Sequence, residues 1–139
     1  LVVGGTQGDD QLWFTTTKQP GMIGVMLNGQ WLGAYSGVSS VMAFGQDGND
    51  RMGMSCGMSM AAWLDGGAGD DWLSGGAGND VLIGGAGSDH ICAGEGRDLL
   101  VGGAGVDYLY GDARVDRLYA DDPGFVLTPA AVDALMQRA

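Results

Sequence analysis

Aspartate recurs at every ninth position through one stretch of this chain, at Asp71, Asp80, Asp89, Asp98, Asp107 and Asp116. Carboxylates serve either as acid/base pairs in catalysis or as hard ligands for cations. The strict interval favours the second use, because catalysis gathers two carboxyls at one place whereas a repeat sets one in every copy of a turn. From Gly66 to Tyr119 the copies read GGAGDDWLS, GGAGNDVLI, GGAGSDHIC, AGEGRDLLV, GGAGVDYLY and GDARVDRLY. Small residues fill the first positions, Asp the sixth, and Leu or Ile the eighth. Glycines at alternating positions let the backbone take φ > 0 and let neighbouring chain segments pass closely. An Asp held by such a turn offers a hard oxygen beside main-chain carbonyls, the donor set that calcium prefers.

The elements that must position these carboxylates follow from the same period. The three residues after each Asp form a short strand whose alternation sends position eight inward and positions seven and nine outward. Leu64, Leu73, Leu82, Ile91, Leu100, Leu109 and Leu118 then make a core ladder. One turn and one strand make half a coil, so carboxylates eighteen residues apart stack on one edge. Asp71, Asp89 and Asp107 form one column and Asp80, Asp98 and Asp116 the other. A Gly/Asp-rich linker would not keep an apolar residue at every ninth position.

This nonapeptide, G-G-x-G-x-D-x-U-x, resembles the RTX or haemolysin-type calcium-binding repeat family. The resemblance is close over Gly66 to Tyr110 and loosens in the last copy, where Asp112 and Arg114 replace glycines. It implies calcium ions between stacked turns, each taking one Asp carboxylate and main-chain carbonyls from each turn. The carboxylates are those of Asp10, Asp50, Asp71, Asp80, Asp89, Asp98, Asp107 and Asp116. The implied turn residues are Gly45 and Asp47, then Gly66, Gly67, Ala68 and Gly69, then Gly75 and Ala77. Gly84, Gly85, Ala86, Gly87, Gly94, Gly96, Gly103 and Gly105 follow.

Composition agrees with a cation partner. Seventeen Asp plus Glu stand against six Lys plus Arg, a formal charge of −11. Nucleic acid and anionic membranes are poor partners for such a chain. About five or six Ca²⁺ would offset nearly the whole excess. Without metal, stacked carboxylates repel and 28 glycines raise the entropy cost of ordering, so folding and metal binding become one event. Such a device suits a protein made in low calcium and used outside the cell. No apolar run reaches transmembrane length or resembles a signal peptide, and Leu1 is not a start methionine, so the chain reads as a portion of something longer.

Ahead of the regular repeats, GTQGDDQLW places Asp10 at position six, and GQDGNDRMG does the same for Asp50. Asp10, Asp50 and Asp71 lie 40 and 21 residues apart, against 18 thereafter. A long first coil and a slightly long second one therefore head the Asp71 column. On the opposite edge Ala62 stands eighteen residues before Asp80, so that column starts at Asp80. The extra length of the first coil is explained by Met22 to Tyr35, where Asn28-Gly29 lies between two apolar runs, a signal for a hairpin with a two-residue turn. Its strands are Ile23 to Leu27 and Gln30 to Ala34, expected to decorate the roll by packing on it. Turns, hairpin and strands together also resemble roll segments near the ends of very large bacterial surface proteins. Thr128 as N-cap and Pro129 at the first helical position predict a helix over 128–139 that caps the roll.

Outward positions differ between the two sheets. One shows Trp72, Ser74, His90, Cys92, Tyr108 and Tyr110; the other shows Val81, Ile83, Leu99, Val101, Arg117 and Tyr119. The second set is apolar enough to call for a cover, supplied by the terminal helix, the hairpin or another subunit. Cys56 and Cys92 lie two coils apart, about 9 to 10 Å at strand spacing, farther than a disulfide spans. No H-E-x-x-H is present, and the chain reads as no enzyme.

The expected fold is all-β: a right-handed parallel β-roll over 1–127, with a hairpin insertion at about 22–35, regular repeats at 66–119 and a short helix at 128–139. The expected function is a calcium-binding structural module of an extracellular bacterial protein, folded and stiffened by Ca²⁺ after export. Two alternatives remain: a fibre subunit stacked head to tail through open roll ends, with self-contact there or on the Val81/Ile83/Leu99/Val101 face, or the calcium-binding tail of a secreted enzyme.

Overall fold

The computed structural model describes residues 1–112 and the backbone of 117–119. Its strands are β1 (Val2–Gly4), β2 (Gln11–Thr16), β3 (Met22–Leu27), β4 (Gln30–Ser36), β5 (Ser40–Asp47), β6 (Arg51–Met54), β7 (Ala61–Ala68), β8 (Trp72–Gly76), β9 (Val81–Ala86), β10 (His90–Gly94), β11 (Leu99–Ala104), β12 (Tyr108–Tyr110) and β13 (Arg117–Tyr119). They alternate between a six-stranded sheet, β1-β5-β7-β9-β11-β13, and a seven-stranded sheet, β12-β10-β8-β6-β2-β3-β4. Every pairing is parallel except those made by the hairpin. This is the all-β roll that the nonapeptide period predicts.

The register carries the unequal coil lengths. Trp72 pairs with His90 and His90 with Tyr108, eighteen residues each. Gln11 pairs with Arg51 and Arg51 with Trp72, intervals of 40 and 21. Between the sheets Leu64, Leu73, Leu82, Ile91 and Leu100 are wholly buried, and Leu109 in the last described coil is half-buried. The side chains of Leu118, Arg117 and Tyr119 and the helix expected over 128–139 lie outside the described residues.

The hairpin forms where Asn28-Gly29 requires it, with φ of 51° and 78° at the two turn residues, as a type I′ turn demands. It packs on the roll, and it does so by prolonging one of the roll's sheets. β3 pairs antiparallel with β2, and β4 with β3, so both strands continue the seven-stranded sheet past the first coil. Ile23 and Val25 are buried in the same cluster as Leu12, Phe14, Val41 and Ala43. The physical reason is that β2 would otherwise be an unpaired edge beside an open core; the hairpin covers both. Its outward Trp31 ring rests on Gly24, where a Cβ would collide with it.

The outer faces also separate. Val81, Leu99 and Val101 are buried, with Trp63 and Ile83 packed against them. The hairpin belongs to the other sheet and is not their cover. On the seven-stranded sheet Trp72, His90 and Tyr108 stack in a column, with ring centroids 5.2 and 4.7 Å apart and planes within 10° and 17°. Cys56 and Cys92 are free thiols, both exposed.

Candidate calcium site

The carboxylates are brought together as two columns inside the turns. Asp10, Asp50, Asp71, Asp80, Asp89 and Asp98 are each at most 2% exposed, rare for acidic side chains unless they are paired or hold metal. In all but Asp10 one oxygen is used within the stack. The amide of Asp10 donates to Oδ1 of Asp50 (2.8 Å), that of Asp50 to Asp71 (2.7 Å), that of Asp71 to Asp89 (2.8 Å) and that of Asp89 to Asp107 (3.0 Å). On the other edge Ala62 donates to Asp80 (2.7 Å) and Asp80 to Asp98 (2.8 Å). The missing carboxylate at Ala62 thus marks the start of that column. Asp116 lies outside the described residues.

The second oxygen behaves differently along the column. Oδ2 of Asp50, Asp71, Asp80 and Asp89 is buried without a hydrogen-bond partner, which costs free energy unless a cation supplies the missing partner. Each of these oxygens faces the first glycine of its own turn together with a main-chain carbonyl of the next coil. A Cβ on Gly45 would run into Asp50 Oδ2 and the Gly66 carbonyl, one on Gly66 into Asp71 Oδ2 and the Gly84 carbonyl, and one on Gly84 into Asp89 Oδ2 and the Gly102 carbonyl. Gly75 is placed likewise against Asp80 Oδ2 and the Ala93 carbonyl. Carboxylate and carbonyl oxygens with no nitrogen or sulfur among them suit calcium. The residues fit the ion. Among the described residues no three His, Cys, Asp or Glu side chains gather into one group, so each site relies on main-chain oxygens from adjacent turns.

The remaining turn residues shape this frame. Gly67, Gly85, Gly94 and Gly103 take φ from 91° to 113°, and Gly69, Gly87, Gly96 and Gly105 from 135° to 138°. At the third turn position the carbonyls of Ala68 and Ala86 accept from the amides of Gly48 (2.8 Å) and Gly69 (2.7 Å), tying each coil to the next. Ala77 instead donates its amide to the Met58 carbonyl (2.9 Å). The Asp47 side chain is exposed; at that turn the column uses the carboxylate of Asp50.

Burial governs the protonation of the columns. Desolvation lifts Asp71 and Asp89 from 3.8 to about 6, helped by neighbouring carboxylates and opposed by the amide hydrogen bonds. It lifts Asp80 to about 7 and raises Asp50 as well. Burial also pushes Asp10 up, but hydrogen bonds from Thr6 and Asn28 outweigh it and leave that carboxyl below its ordinary value. Asp10 accepts the Thr6 amide on Oδ2 and the Asn28 Nδ2 on Oδ1 at 2.5 Å.

Sequence reasoning missed Asn28 and Gln46 as parts of this edge. Asn28 reads in sequence only as a turn residue. Gln46 did leave a signal, since it fills the second turn position, where every regular copy but the last has glycine, and adopts φ 86° there.

Residues 57–91, 65–100 and 86–118 match the family model described as RTX calcium-binding nonapeptide repeat (4 copies). Comparison with curated proteins and with solved structures finds no match. The stacked acid turns, the eighteen-residue register and this match together show that residues 57–118 belong to the RTX calcium-binding nonapeptide repeat family.

Proposed function

We propose that the chain is a calcium-binding structural module of an extracellular bacterial protein, folded and made rigid by Ca²⁺ after export. The observation that carries this reading is the row of buried, unpartnered Oδ2 atoms on Asp50, Asp71, Asp80 and Asp89. A fold that leaves such oxygens without donors is strained when the metal is missing and complete when it is present. The low calcium of a cytoplasm and the higher calcium outside would then time folding to export. No catalytic step is assigned to the module. Among the described residues no helix is long and apolar enough to cross a membrane.

The test is calcium titration of the chain followed together by circular dichroism and light scattering. The expected result is a disorder-to-β transition at constant size with several ions bound. Growth in size on the same transition would favour the head-to-tail fibre, and a β signal indifferent to chelator would overturn the calcium reading.

A further inference from the structure

The turn from Gly5 to Asp10 differs from every later turn of its column in how its oxygens are satisfied. Where Asp50, Asp71 and Asp89 keep a buried Oδ2 without a donor, Asp10 has none to spare: Thr6 donates its amide to Oδ2 and Asn28 its Nδ2 to Oδ1. The carbonyl facing Asp10 Oδ2 is that of Gly45, as Gly66's faces Asp50 Oδ2; the Gly5 carbonyl, with no earlier Asp turn to face, accepts Nε2 of Gln46 at 2.7 Å. Gln46 holds φ 86° at a turn position that is glycine in the later copies of its column, a conformation unfavourable for a residue with a side chain.

Asn28 is fixed for its part by the hairpin. Its Oδ1 accepts the Gln11 amide at 2.7 Å and its own amide donates to the Gln11 carbonyl at 2.9 Å. Asp10 Oδ1 therefore meets the Asn28 side chain where each later Asp meets the amide of the preceding coil. Side-chain amides from two places far apart in sequence converge on one turn, and both present N–H groups to its oxygens. With the Thr6 amide on Oδ2, a hydrogen already occupies the oxygen that a cation would take in the later turns.

We infer that the first inter-turn site is closed by the Thr6 amide on Asp10 Oδ2, while Asn28 and Gln46 satisfy the outer oxygens of the same turn, so that Asp10 is an end-piece of the column and not a calcium ligand. The first coil and hairpin then form without metal and present a finished edge on which the calcium-dependent coils assemble. The apolar core agrees, since Leu12, Phe14, Ile23, Val25, Val41 and Ala43 are buried together at this end. The inference rests on the proposed calcium reading for the later coils.

The experiment uses the full chain. Bound calcium is counted by equilibrium titration for the native protein, D10N and D71N, and hydrogen exchange is followed peptide by peptide in chelator and in calcium. D10N should bind as many ions as the native protein while D71N loses at least one. In chelator the amides of β2, β3 and β6 should exchange at least about tenfold more slowly than those of β8 to β12, and calcium should slow the latter. N28A and Q46A should each speed first-coil exchange in chelator by about tenfold, the scale of a lost buried hydrogen bond, without changing the ion count. Loss of one ion in D10N, or first-coil exchange in chelator as fast as that of the repeats, overturns the inference. Should D10N not fold, exchange of the native protein in chelator still decides: slower exchange in β2, β3 and β6 than in β8 to β12 supports the inference, and equal rates overturn it. A native protein that binds no calcium overturns the calcium reading itself and this inference with it.

Discussion

Asp71, Asp80 and Asp89 set the pH response of the roll, because burial holds their protons to about pH 6, 7 and 6 against an ordinary 3.8. A group that binds its proton more tightly in the folded chain stabilises folding fully below pH 3.8 and loses that contribution as pH rises through 6 to 7. With chelator present, the β signal should therefore decline between about pH 4.5 and 7.5. With calcium, which needs the deprotonated carboxylate, the added stability should grow across the same window. Urea midpoints in the two buffers check the pair of trends, and a chelated midpoint that rises with pH would contradict them. Glycine gives a second residue-level contrast. Gly85→Ala at φ 113° would thrust a Cβ into the Gly67 carbonyl, whereas Gly21 at φ 75° has nothing within 4 Å. Backbone cannot swing aside as a side chain can. The first substitution should cost about 2 kcal/mol or more and the second about 1 kcal/mol, as read by calcium-saturated thermal melts.

At the scale of the elements, one side chain per half-coil fills the space between the sheets, so each carries a large share of its coil's burial. Leu82→Ala should destabilise the calcium-bound roll by about 2–5 kcal/mol, and Leu109→Ala, at a half-buried site, by less. On the outer face His90→Ala removes both ring contacts of the Trp72–His90–Tyr108 column and should cost about 1–3 kcal/mol at about 0.5–1.5 per aromatic pair. Denaturant unfolding distinguishes the two faces. These strands were legible in the sequence because their period of nine is local. The intervals of 40, 21 and 18 residues fixed the pairing of Gln11, Arg51, Trp72 and His90, and the gap at Ala62 was legible for the same reason. What the hairpin does was not legible. Asn28-Gly29 specifies a turn wherever it occurs, while the partners of Asn28 and Gln46 lie 18 and 41 residues away. Those contacts depend on how coils stack, which no local pattern encodes.

For the molecule as a whole, a charge of −11 and columns of dehydrated carboxylates favour cation partners, and the proposed function makes folding conditional on those ions. Calcium accepts six to eight oxygens at adjustable positions, whereas magnesium demands a tight octahedron and gives up water reluctantly. Equal concentrations of the two should thus differ: calcium restores the β signal of the chelated chain and magnesium does not. Circular dichroism with each ion in turn settles this, and an equal response to magnesium would count against sites built from stacked main-chain oxygens.

The unequal coil lengths have a mechanical consequence. Pulled from its ends, a parallel roll sheds coils one at a time, and each release lengthens the chain by the residues it frees. At up to about 3.5 Å per extended residue, the regular coils would each add about 60 Å, the 21-residue coil about 75 Å and the hairpin-bearing coil about 140 Å. A single molecule under tension would then write its own coil order as a sequence of step sizes. The longest step belongs to the end where the hairpin sits.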